Sequence, residues 1–152
     1  MAFLLIEKVI DDFKDYLNAN MPAKLDALEV YYADSITLDN IKTYYISEEK
    51  SIPEYPSIFI LGDNVMPTQQ GSSWINGQFN FTIACITIDQ NSQTLRRKLY
   101  RYMRAIAELV KTYQPANKVD IGDIEYSPIY GNDDAFLSDA RITITVTKTE
   151  NL

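Results

Sequence analysis

The segment TLRRKLYRYMRAIAELV, residues 94–110, constrains this chain more than any other, because it reads as a helix with two incompatible sides. At about 100° per residue, Leu95, Leu99, Tyr102, Ile106, Leu109, Val110 and Tyr113 fall on one stripe. Arg97, Arg101, Arg104, Glu108 and Lys111 form the opposite stripe, with Arg96 and Lys98 on the flanks. The fold must therefore supply an apolar surface as long as this helix. The basic side must meet water, an anionic ligand or an acidic partner. Asn91 or Ser92 suits the N-cap, and QPANK after Tyr113 stops the helix.

A sheet is the surface that the rest of the sequence offers. IKTYYIS (41–47) and PSIFILG (56–62) are short runs rich in β-branched and aromatic residues, separated by the charged EEKSIPEY. In QFNFTIACITID, Phe79, Phe81, Ile83 and Cys85 share one face while Ala84, Ile86 and Ile88 partly cover the other, the pattern of a strand that is central in the sheet or contacts something beyond it. VDIGDIEYSPIY (119–130) and ARITITVTKTE (140–150) read as two further strands joined by GNDDAFLSD. Earlier in the chain, Asp63 to Gly77 (DNVMPTQQGSSWING) is polar and turn-rich, with Trp74 its only aromatic residue, and is expected to be a flexible loop or the tip of a long hairpin.

The first segment is helical. Ile6, Val9, Ile10, Phe13, Tyr16 and Leu17 recur at steps of three and four, opposite Glu7, Lys8, Asp11, Asp12, Lys14 and Asp15. Pro22 is expected to end this helix and to start a second, shorter one through Leu25, Leu28 and Tyr31 or Tyr32, so that residues 3–34 form a helical hairpin or kinked pair. The element order predicts one α+β domain over residues 1–152. Its form is a two-layer sandwich, a mainly antiparallel sheet of about five strands with the helices packed on one face.

Chemistry is sparse. The chain has no histidine and a single cysteine, Cys85, and it contains neither G-x-S-x-G, a Walker A loop nor G-x-G-x-x-G. Asn132, Asp133, Asp134 and Asp139 are an oxygen-rich group, but their spacing suits a solvated turn better than an ion loop. No catalytic residue, cofactor or metal is expected, and the chain is not expected to be an enzyme. The paired tyrosines Tyr31-Tyr32 and Tyr44-Tyr45 suit half-buried surfaces better than catalysis.

Charge is unevenly distributed. The net charge is −7, yet Met1 to Asp63 carry twelve acidic and five basic residues and the remainder carries nine of each. Such a balance disfavours broad binding to nucleic acid or anionic membranes. The apolar run before Glu7, MAFLLI, is only six residues long, and no stretch approaches a membrane span of about 20, so synthesis and assembly in a cytoplasm are expected. Three readings of the basic helix stay open: a solvated face, a contact to nucleic-acid phosphates through residues 94–111, and a contact to acidic residues on a neighbouring copy.

YPSIFILGD, the polar loop, the long two-faced strand, LRRKLYRYMRAIAEL, IEYSPIY and FLSDARITITV together resemble the tail-terminator and tail-completion proteins of tailed bacteriophages, over roughly residues 55–147. The resemblance implies a virion structural subunit that assembles as a ring, commonly a hexamer, capping the tail tube and offering a surface to the neck or head-completion protein. Genomic DNA would pass through its lumen without specific binding. On that reading the interface candidates are Arg97, Arg101 and Arg104 facing Asp11, Asp12, Asp15, Glu48 or Glu49 of a neighbour, with Trp74 as an anchor. Other neck components, head-completion and adaptor proteins among them, are similar in size.

Overall fold

The computed structural model describes residues 6–47, 49, 52–70, 74–113, 118–131 and 134–151. Helix α1 (Ile6–Tyr32) leads into β1 (Thr43–Tyr45), β2 (Ser57–Gln70) and β3 (Trp74–Asp89). Helix α2 (Ser92–Lys111) then precedes β4 (Lys118–Tyr126), β5 (Tyr130–Gly131) and β6 (Phe136–Asn151). The sheet order is β1-β2-β3-β6-β4, with β5 also on β6. Every pairing is antiparallel except β1 on β2. The architecture is α+β, with the helices packed on the sheet.

Pro22 does not divide the N-terminal helix, so the hairpin alternative is not the one taken: α1 runs as one helix from Ile6 to Tyr32 through it. Leu17 and Met21 before it, and Leu25 and Leu28 after it, are buried along one stripe, so the packing that favours helix continues on both sides. Asn18, whose carbonyl loses its helical partner at Pro22, belongs to the exposed side and can turn to water. The helix ends at Ala33, which takes a positive φ of 49° and donates its N–H to the Glu29 carbonyl at 3.0 Å.

Helix α2 starts at its expected N-cap. The Asn91 side chain accepts the Thr94 N–H at 3.0 Å. Its stripe of Leu95, Leu99, Tyr102, Ile106 and Val110 is buried, and most of it packs with Ile83, Cys85, Ala140, Ile142 and Ile144 of the sheet in one core, which also takes in Phe13 and Leu17 of α1. The two helices run antiparallel. Phe13 meets Tyr113 at a ring separation of 4.6 Å near one end of the pair, and Tyr32 meets Arg101 near the other.

The sheet has six strands where about five were expected, because the predicted strand 119–130 is split. Pro128 has no N–H for a ladder, and Ser127 instead ties the chain to the first part of β6. Its N–H and its hydroxyl both donate to the Asp139 carbonyl, at 3.0 and 2.8 Å, and its own carbonyl accepts from Ser138 Oγ at 3.0 Å. Within β4, Gly122 and Asp123 lie opposite Thr143 alone, a bulge between Ile121 and Ile124.

Of residues 63–77, the described ones, 63–70 and 74–77, are paired strand, in keeping with the long-hairpin alternative. β2 and β3 pair as far as Gln70↔Trp74, and β6 follows β3 to Asn151↔Trp74. Among the described side chains, the last core-associated members on these strands are Val65, Phe79 and Val146. Each strand continues five residues further, an arm of about 17 Å. On its outer side, β2 has no described strand partner beyond Phe59. A bulge between Gly62 and Asn64, and Pro67, interrupt that edge, as protected edges commonly are.

Candidate functional site: the Arg and Tyr face of helix α2

The five basic residues of α2 between positions 96 and 104 diverge once the chain is folded. Arg96 lies over Tyr126 at 5.9 Å and donates to the Ser127 carbonyl at 2.9 Å, fastening the helix to the β4 side of the sheet. Lys98 pairs with Asp89 at 2.9 Å across the turn before the helix. Burial works against the Asp89 charge, but the bonds from Lys98 and from the Asn91 N–H outweigh it and hold its carboxyl below the usual range.

Arg101 departs most from expectation. Helical spacing puts it on the outward stripe as an interface residue, yet only 5% of its side chain is exposed. Its two terminal nitrogens donate to both carboxylate oxygens of Asp34 at 2.9 and 2.6 Å, and its guanidinium lies 3.9 Å from the Tyr32 ring centroid. The Arg101 hydrogen bonds hold the Asp34 carboxyl at about 2, with the Ile36 N–H and the charge of Arg97 acting in the same direction. The reason for the burial is α1: its last turn arches over the middle of α2 and covers this part of the basic stripe.

Arg104 continues the same seam. It donates to the Tyr32 hydroxyl at 3.0 Å and to Glu108 at 3.0 Å, and it lies 4.6 Å from the Tyr31 ring centroid. Glu108 also takes Lys24 at 2.6 Å, and the bonds from Lys24 and Arg104 lower its pKa. Tyr16 closes the other end, donating to the Leu109 carbonyl at 2.8 Å. Asp34, Arg101, Tyr32, Arg104, Glu108 and Lys24 thus form one polar chain that clips α1 to α2.

Arg97 is different. Its side chain is exposed and, among the described residues, makes no hydrogen bond or close ion pair, although its charge acts on the Asp34 carboxylate. Beside it stands Tyr100, 51% exposed, with its ring edge-on to Tyr126 at 5.0 Å. Past Arg104, Val30 and Tyr31 at the end of α1 are 80% and 68% exposed. Arg97, Tyr100, Arg104 and Tyr31 therefore make a basic and aromatic surface on the helix layer, the composition that dominates protein contacts.

The other candidates are scattered. Asp11 and Asp15 are exposed on the first half of α1, and Asp12 pairs with Lys8 at 2.9 Å. Glu49 rims a separate hollow of about 260 Å³ on the opposite face of the sheet, floored by Phe59, Leu61, Ala84 and Ile86. Glu48 and Asp133 lie outside the described residues, as does the side chain of Trp74, whose backbone is paired at the end of β3. Among the described residues no three His, Cys, Asp or Glu converge as a metal site, and no helix is long and apolar enough to cross a membrane. Sequence reasoning missed Asp34 and gave Tyr32 only as a half-buried surface residue, because helical spacing does not show which residues of another element pack across a face. Comparison with protein-family models and with curated proteins finds no match to this chain.

Proposed function

We propose that this chain is a ring-forming structural subunit of a tailed-phage virion, a tail terminator or tail-completion protein at the head–tail junction. Its resemblance to those proteins in segment order supports the reading. The single structural observation that carries it is the three-stranded arm, in which β2, β3 and β6 continue together beyond Val65, Phe79 and Val146. Ordering about 17 Å of sheet past the last described core side chains has an entropic cost, and a neighbouring subunit that receives these strand ends offsets it. The partners on this reading are further copies of the chain, the tail tube and a neck protein, with DNA passing through the lumen.

The test is the mass of the purified protein over a wide concentration range, by light scattering or native mass spectrometry, with electron microscopy of the same sample. A closed ring is expected at high concentration. A strict monomer throughout, with no ring in the images, would overturn the reading.

A further inference from the structure

We infer that the exposed surface around Arg97 and Tyr100 on α2 receives the acidic ridge Glu7, Asp11 and Asp15 on α1 of a second copy. The inference rests on the ring-subunit reading and names the surfaces that would make the contact. Arg97, Tyr100 and Arg104 follow one another at helical steps of three and four, so they form a row about 10 Å long. Glu7, Asp11 and Asp15 recur every four residues, are all exposed, and form a row of about 12 Å. The two rows match in length and oppose in charge.

Neither row meets the other inside one molecule. The basic row lies beside the end of α1, where Arg104 packs on Tyr31, whereas the carboxylates lie in its first half, some 30 Å away along the helix axis. On α1, Lys8 is paired to Asp12, and Lys14 is the one base that shares the face of the ridge, so Glu7, Asp11 and Asp15 leave it net acidic. On α2, Arg101 and Arg104 are paired within the chain, whereas Arg97 is exposed and makes no close ion pair among the described residues; its interaction is the longer-range one with Asp34, which Arg101 already binds through both oxygens. Tyr100 next to Arg97 in the row and Tyr31 against Arg104 add rigid apolar area, so the contact need not depend on a bare ion pair. Because the two surfaces are different and far apart, their contact is head-to-tail, the kind that closes into a ring or runs on as a filament.

The experiment compares the wild-type protein, Arg97→Glu, Asp11→Lys/Asp15→Lys, and an equimolar mixture of the two variants, all by light scattering over concentration. These residues are exposed, and circular dichroism checks that each variant is folded; Arg97→Ala replaces Arg97→Glu if it is not. Each variant alone is expected to need roughly tenfold or more protein to assemble. The mixture is expected to recover assembly, because the carboxylate introduced on α2 then faces the introduced lysines and the unaltered rows face each other. Wild-type assembly should also weaken as salt rises. If wild type assembles and neither variant shifts it, or the mixture fails to recover, the contact is wrong while the ring reading stands. A wild type that never assembles removes both. Salt-sensitive binding of a DNA duplex by the wild type, lost in Arg97→Glu with assembly unchanged, would assign the surface to phosphates and overturn the inference.

Discussion

Arg101 and Asp34 meet across 67 residues of chain, with two parallel hydrogen bonds of 2.9 and 2.6 Å joining the middle of α2 to the segment just past the end of α1. A basic residue on the polar stripe of an amphipathic helix thus serves as an internal fastener. The positive φ at Ala33 turns the chain so that the Asp34 carboxylate faces back toward the helix pair.

Acid should therefore loosen the helix layer first. The Asp34 carboxyl is held at about 2 in the folded chain, below the roughly 3.9 of an unfolded aspartate. A depressed folded pKa contributes stability that is present above about pH 4 and is lost as pH falls toward 2. Glu108 and Asp89 are lowered too and act with the same sign. Urea denaturation at pH 6 and at pH 3 should show wild type losing more stability between the two than Asp34→Asn does. Equal losses would mean that the pair contributes nothing to the acid response.

The bulge in β4 should be intolerant of a side chain. A Cβ on Gly122 would lie 2.3 Å from Thr143 Oγ1 and 3.3 Å from the Thr143 carbonyl oxygen. Gly122→Ala is expected to cost about 1–3 kcal/mol, and Thr143→Ala in the same chain to recover most of it, because the nearer clash is with the side chain. Chemical denaturation of the single and double variants measures both. A double variant no better than Gly122→Ala would place the strain in the backbone.

Pro22→Ala is expected to stabilise the protein, by about 1–3 kcal/mol. The backbone of α1 is already helical on both sides of Pro22, and alanine restores the N–H that Pro22 withholds from the Asn18 carbonyl. The denaturation midpoint should rise with no change in slope. A fall would show that the pyrrolidine ring itself packs favourably against its surroundings.

Cys85 should be silent in the folded state. It is fully buried in β3, and that burial, aided by the charge of Asp139, pushes its thiol well above the usual range. A disulfide reagent should modify one thiol per chain in denaturant and almost none in buffer, with any native reaction following the unfolding rate. Rapid modification of the native protein would show that the sheet opens locally around β3.

The stripes of α1 and α2 are legible because an amphipathic period depends only on local spacing, and Leu95, Leu99, Tyr102, Ile106 and Val110 are all buried as their spacing predicts. The central place of β3 is legible for a similar reason: its residues are apolar on both faces, and β2 and β6 flank it. Pro22 misleads because a local breaker says nothing of the buried side chains on each side of it. The split at Ser127-Pro128 is visible as a proline, but the hydrogen bonds to Ser138 and Asp139 that hold the gap join residues more than ten positions apart.

Sequence alone determined the α+β class, the two amphipathic helices, the central strand and the uneven charge, since each follows from residue periodicity or from composition. Tertiary structure alone decided which charges are spent and which stay outward. Arg97 and Arg101 are the same residue type on the same stripe, one helical turn apart. The end of α1 crosses over Arg101 and brings Asp34 and Tyr32 to it, while Arg97 stays in solvent. Helical spacing places a side chain on a face, but its environment is set by the element that packs across that face.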